Sequence, residues 1–153
     1  MTALERAFLH LANGLVTITG VVYAVMRYLM HPADEWAVVN HPWQPHAQHL
    51  HLLAAPLLVF AVGFAWSRHA LPKLRNGDAG RSSGLGLMAG FVPLTVSGAL
   101  IQTAVDPAWR AVWVVVHLAA SGLWLTALAL HQLRSITSRR AAGHDSQPTA
   151  VDP

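Results

Sequence analysis

Four stretches of this 153-residue chain run for 20 residues or more without a formal charge. They lie between Arg6 and Arg27 (20 residues), Glu35 and Arg68 (32), Arg81 and Asp106 (24), and Arg110 and Arg134 (23). A helix needs about 20 mostly apolar residues, at about 1.5 Å of rise each, to cross the hydrocarbon core of a bilayer. Each gap holds one, and the spans are expected at 8–30, 47–66, 84–104 and 109–133. A soluble bundle would need a charged stripe on every helix to face water, and none of the four carries one. The fold class that follows is all-α: an integral membrane four-helix bundle over residues 1–134, then a polar, irregular tail over 135–153. The first span resembles a signal peptide in position. However, Asn13 interrupts its apolar run, no small-residue cleavage site is clear and apolar sequence continues to Met30, so a retained helix is expected.

The basic residues orient the spans. With the N-terminus inside, Arg6, Arg68, Lys73, Arg75, Arg81, Arg134, Arg139 and Arg140 fall on the inner side and only Arg27 and Arg110 on the outer. That bias predicts cytoplasmic N- and C-termini in a bacterial-type inner membrane. Trp36, Trp43, Trp109 and Trp113 then cluster at the outer level as an interfacial belt, with Trp66 at the inner end. Asp106-Pro107 reads as a helix start, a capping acceptor followed by proline in the first turn. Pro72 to Gly80 reads as an inner loop. His144, in the polar tail, is expected to be a solvated side chain.

Composition removes several function classes. With no cysteine, there is no disulfide, thiolate metal site, iron–sulfur cluster or thiol relay, and a disulfide-to-quinone oxidoreductase is excluded. The net charge of +3 would suggest nucleic acid only if the basic residues formed a soluble face; here they flank the spans, and no nucleic-acid partner is expected. Gly84, Gly86 and Gly90, with Ser97 and Gly98, leave backbone uncovered in the third span. Helix packing through small residues and a cofactor lying on the same surface both account for them.

The histidines carry the chemistry. Of the ten, His10, His49, His51, His117 and His131 lie in or at the ends of the spans, where polar side chains are costly and mark function. His117 and His131 are 14 residues apart, which at 100° per residue returns them to within about 40° of one face and separates them by about 21 Å of rise. They cannot share one ion, but they suit two cofactors stacked across the membrane. Counted from the span ends, His10 lies level with His131, and His49 and His51 lie level with His117. Two imidazoles from facing helices are the axial set of a six-coordinate haem, whereas zinc or copper wants three or four converging ligands. Without a Cys-x-x-Cys-His attachment sequence any haem is a non-covalent b-type. Of the second-span pair, His51 is the chosen ligand because it lies deeper and Ala55 clears space one turn on; His49 is the alternative. Small residues make room for a porphyrin: Gly14, Thr17 and Ala24 share a face with His10, with Gly20 or Val21 beside it, and Ser121 and Gly122 follow His117.

Together, His10, the His51-Leu-Leu-Ala-Ala start of the second span, Val96-Ser97-Gly98 in the third, and His117 with His131 in the fourth resemble the di-haem cytochrome b subunits of membrane-bound formate dehydrogenases and nickel–iron hydrogenases. The likeness covers about residues 5–135, and the 14-residue histidine spacing is its specific element. It implies two haem b groups, the outer held by His51 and His117 and the inner by His10 and His131. It also implies electron transfer between an outer redox protein, a cytochrome or iron–sulfur protein, and a quinone pool near the inner haem. Such a chain is an electron-transfer subunit of a larger complex or homo-oligomer, since bis-histidine iron has no open position for turnover. The segment from His31 to His46 is either a docking platform for that partner or a loop of ordinary interfacial anchors. The competing classes are a haem-free transporter or metal permease with a histidine-lined path, and a structural subunit using its histidines as interhelical hydrogen bonds.

Overall fold

The computed structural model describes residues 2–77 and 81–145, with backbone alone at 81, 135, 136 and 138–145. Among the described residues all regular structure is helical: α1 (Ala3–Tyr28), α2 (Gln44–Ala65), a π-helical turn (Trp66–Ala70), α3 (Leu71–Asn76), α4 (Arg81–Thr103) and α5 (Pro107–Asp145). Four helices are long and apolar enough to cross a membrane. The chain divides into two compact units, 1–76 and 77–153, each containing one antiparallel hairpin of long helices.

In the first unit, a capping box opens α1: Glu5 N–H donates to Thr2 Oγ1 while Thr2 N–H donates to Glu5 Oε2. That satisfies two of the orphan donors every helix start leaves. The β-branched run Val16-Thr-Ile-Thr stays helical within α1, as it must in lipid, where no water replaces a lost backbone bond. α1 packs along α2 with Phe8 edge-on to Phe60. Between the helices, the Asn40 side-chain amide donates to Arg27 O at the end of α1, and Asn40 N–H donates to Gln44 Oε1 at the start of α2. Trp36 and Trp43, on either side of Asn40, are exposed.

α2 ends at Ala65, one residue short of the expected boundary, but the chain does not enter a loop at Pro72. The wide turn Trp66–Ala70, closed by Leu71 N–H donating to Trp66 O, leads into α3 and carries helix as far as Asn76. Pro72 follows directly on that wide turn, which is where the continuous helix absorbs a residue with no N–H to give to the preceding turn. Gly77, at φ 73°, provides the left-handed residue that stops the helix.

In the second unit, α5 starts where the sequence indicates: Trp109 N–H donates to Asp106 Oδ1 at 2.9 Å, with Pro107 in the first turn. At its other end α5 continues past Ser135 to Asp145, so the first part of the segment expected to be irregular is helical. No proline interrupts it before Gln147, and the Thr137 hydroxyl bonds back to the carbonyls of Leu133 and Arg134. The His144 side chain and residues 146–153 lie outside the described residues. α4 and α5 are tied by Trp124, 7% exposed, whose indole N–H donates to Leu87 O at 3.1 Å. Its ring lies tilted on Phe91 with centroids 5.6 Å apart.

Large apolar side chains cover the outside of both hairpins. Leu11 and Leu53 are each 72% exposed, Val115 67% and Leu123 74%. Apolar exposure on this scale exceeds what water-soluble monomers present and suits a hydrocarbon solvent.

Candidate functional site: two histidine cradles

His51 projects from α2 onto the backbone of α1. Its Nδ1 lies 3.0 Å from Val16 O and 3.4 Å from Thr19 Oγ1. A carbonyl only accepts, so Nδ1 is the protonated nitrogen and Nε2 carries the lone pair. Thr19 in turn donates its hydroxyl proton to Leu15 O at 2.7 Å, which leaves its oxygen to accept from His51. Gly20 completes the cradle. A Cβ there would sit 2.8 Å from His51 Cε1 and 3.0 Å from Nδ1. The reason is helix geometry: Cα–Cβ bonds lean toward the N-terminus, so the side chain at i+4 covers the carbonyl of residue i. Glycine at position 20 uncovers Val16 O for a visiting imidazole.

The second unit repeats this arrangement with different residues. His117, on α5, places Nδ1 3.1 Å from Leu94 O and 3.2 Å from Ser97 Oγ. Ser97, 1% exposed, donates to Leu94 O, and a Cβ on Gly98 would lie 3.1 Å from His117 Cε1. Carbonyl, hydroxyl at i+3 and glycine at i+4 recur in the same order. In the sequence they are Val16-Thr-Ile-Thr-Gly20 and Leu94-Thr-Val-Ser-Gly98, two copies of a hydrophobic–Thr–β-branched–hydroxyl–Gly pentapeptide.

His131, at the far end of the same hairpin, has its Nδ1 3.0 Å from Ser83 Oγ. The 14-residue interval between His117 and His131 on α5 is thus repeated between Ser97 and Ser83 on α4. Antiparallel helices rising equally per residue keep such pairs in register over both contacts. His10 and His49 differ from these three: both are exposed, and neither makes a hydrogen bond among the described residues. Of the two second-span candidates, then, His51 is packed and oriented while His49 is not.

The small residues are sorted by the same geometry. Gly20 serves the His51 ring, not the face of His10, and Gly90 abuts Trp124 with a virtual Cβ 3.5 Å from its Cδ1. Side chains at Gly14, Gly84, Gly86 and Gly122 would meet nothing within 4 Å. The Nε2-basic imidazoles of His51 and His117 are of the donor type that a haem iron takes. Among the described residues one buried polar side-chain atom, Asn13 Oδ1, has no hydrogen-bond partner. No group of three or more His, Cys, Asp or Glu residues suited to a metal ion occurs among the described residues.

The pentapeptide repeat is the feature that reading by charge and histidine spacing misses. Aligning the segment around Gly20 with that around Gly98 would have revealed it. No protein-family model, curated protein or solved structure matches this chain.

Proposed function

We propose that this chain is a multi-pass membrane cytochrome b of the di-haem type, holding one haem b through His51 and His117 and a second through His10 and His131. Each pair takes one histidine from each hairpin, matched by the depths counted along the sequence. The observation that carries the reading is the pair of cradles: metal-bound histidines donate their other ring nitrogen to a carbonyl or similar acceptor, which fixes ring orientation and tautomer. His51 and His117 both do so. Zinc or copper would want three or four converging donors, which favours the two-ligand chemistry of haem over a metal permease.

Haem iron, alternating between ferric and ferrous, supplies the one-electron chemistry. The protein's part is to hold the imidazoles, exclude open coordination positions and set two sites apart along the helices. The partners of this reading are an outer redox protein, a cytochrome or iron–sulfur protein meeting the 31–46 segment, and a membrane quinone at the opposite end. The excess of Lys and Arg on one set of loops supports cytoplasmic termini in a bacterial-type inner membrane. The test is a reduced-minus-oxidised absorption spectrum of the detergent-purified chain with pyridine extraction of its porphyrin. Two b-type haems per chain are expected; a colourless protein would overturn the reading and favour the haem-free transporter.

A further inference from the structure

We infer that the extension of α2 from Trp66 to Asn76 is a binding site for the headgroups of anionic phospholipids, with Arg68, Lys73 and Arg75 as its phosphate-facing cations. The assignment does not depend on the haem reading. From Gln44 to Asn76 the chain is one helical rod of 33 residues. At 1.5 Å per residue that is about 50 Å, against a hydrocarbon core of about 30 Å, so roughly 13 residues stand beyond the core. α2 itself, 22 residues between Trp43 and Trp66, matches the core with a tryptophan at each boundary. The surplus is therefore the π-turn and α3. A loop over these residues would leave their basic side chains to wander, whereas the π-turn carries the helix past Pro72 and keeps them on a rigid element.

Charge and direction select the occupant. Between Glu35 and Asp78 the sequence has no acidic residue, so α2, the π-turn and α3 carry no carboxylate to neutralise Arg68, Lys73 and Arg75. At the same end of the hairpin, where Phe8 meets Phe60, the carboxylate of Glu5 is engaged by Thr2 N–H in the capping box. Helical side chains lean toward the N-terminus, and from α3 that direction leads back to the bilayer. The three cations thus reach toward the phosphate plane and not away into water. Arg68 follows this rule: its guanidinium carbon lies 5.5 Å from the centroid of the Phe64 ring, one turn closer to the core, a cation–π contact that positions the group. Arg68 and Arg75 are nevertheless exposed and Lys73 is half-buried. A guanidinium held on an aromatic face at headgroup depth fits a phosphodiester, which it binds in bidentate fashion. Leu74, 39% exposed, offers apolar surface to the acyl portion, which a free phosphate lacks. A nucleic acid would need the cations to face away from the bilayer.

The experiment measures lipid binding to the detergent-purified full chain by native mass spectrometry, with phosphatidylglycerol and phosphatidylcholine of identical acyl chains as probes. Wild type is expected to bind phosphatidylglycerol roughly tenfold or more tightly than phosphatidylcholine. Arg68→Gln, Lys73→Gln and Arg75→Gln should each weaken phosphatidylglycerol binding by roughly fivefold, and the triple variant should bind the two lipids alike. Arg68→Lys, which keeps the charge but loses the bidentate fork, should fall between wild type and Arg68→Gln. Arg27→Gln combined with Arg110→Gln removes two charges from other helix ends and should leave the preference intact. Inorganic phosphate in large excess should not displace the lipid. A wild type that binds both lipids equally, a triple variant that keeps the preference, or an Arg27/Arg110 variant that loses as much as the triple, overturns the inference. Displacement by phosphate overturns a lipid as the occupant and makes the site one for a soluble anion. If the triple variant does not purify folded, the graded single variants decide.

Discussion

The two hairpins solve one problem alike and the rest differently. Each brings an imidazole from its second long helix onto a bared carbonyl of its first, using the same order of residues: Val16, Thr19 and Gly20 for His51, and Leu94, Ser97 and Gly98 for His117. Beyond that cradle they diverge. The α4–α5 hairpin has a connection of three residues, 104–106, holds its other histidine with Ser83 and adds the Trp124–Leu87 tie. The α1–α2 hairpin has a connection of fifteen residues, 29–43, and its other candidate ligands, His10 and His49, are exposed. A short turn and the cross-helix bonds of His117, Trp124 and His131 tie α4 to α5 at three levels, whereas the histidine bonds between α1 and α2 lie at one level only. The cradle is what the two hairpins share, and the second hairpin is the more closely tied of the two.

On the proposed di-haem reading, the variant expected to break this comparison most severely is His117→Ala, which should remove one of two haems, as should His51→Ala, while His49→Ala should retain both. Porphyrin counted per chain checks all three, and loss of haem in His49→Ala with retention in His51→Ala would reverse the assignment of the cradle. Next in size is Gly20→Ala. Its Cβ would sit 2.8 Å from His51, and overpacking of that kind costs about 1–3 kcal/mol. Gly63→Ala, in open space on α2, should instead be neutral or stabilising by up to about 1 kcal/mol. Thermal unfolding of the two variants in the same detergent gives the contrast directly.

Trp124→Phe should follow, removing the indole N–H bond to Leu87 O while keeping most of the ring packing, at about 1 kcal/mol. Ser83→Ala should cost least, about 0.6 kcal/mol, the average found for interhelical hydrogen bonds in membrane helices. These two sharpen the comparison, because they test whether the α4–α5 hairpin owes its tighter register to side-chain ties. If both variants unfold at the wild-type temperature, the short 104–106 turn alone sets that register.

Much of the fold was legible from charge and cap residues. The expected span 47–66 nearly coincides with α2, Gln44–Ala65, and Asp106-Pro107 opens α5 as its residue types require. Two helix ends lie elsewhere than polarity indicates. Pro72 reads as a loop residue, yet a π-turn just upstream lets the helix continue through it to Asn76. Ser135 reads as the start of an irregular tail, yet α5 runs on to Asp145 through a stretch that holds the strong helix formers Arg139, Arg140, Ala141 and Ala142 and no proline. Both errors have one cause: polarity marks where lipid ends, and helices need not end there.

The long uncharged runs are a local property of the chain, and in lipid every backbone group must be satisfied within its own segment. Composition alone therefore dictates four long apolar helices and names histidine as the costly, informative residue within them. Which imidazole is held, and by what, depended on tertiary structure. A ring two residues from another points about 160° away from it, and whether it meets solvent or a carbonyl depends on the neighbouring helix and on whether glycine there exposes the backbone. His51 rather than His49, and Gly20 as its cradle rather than as room beside His10, were decided by that packing of α1 on α2.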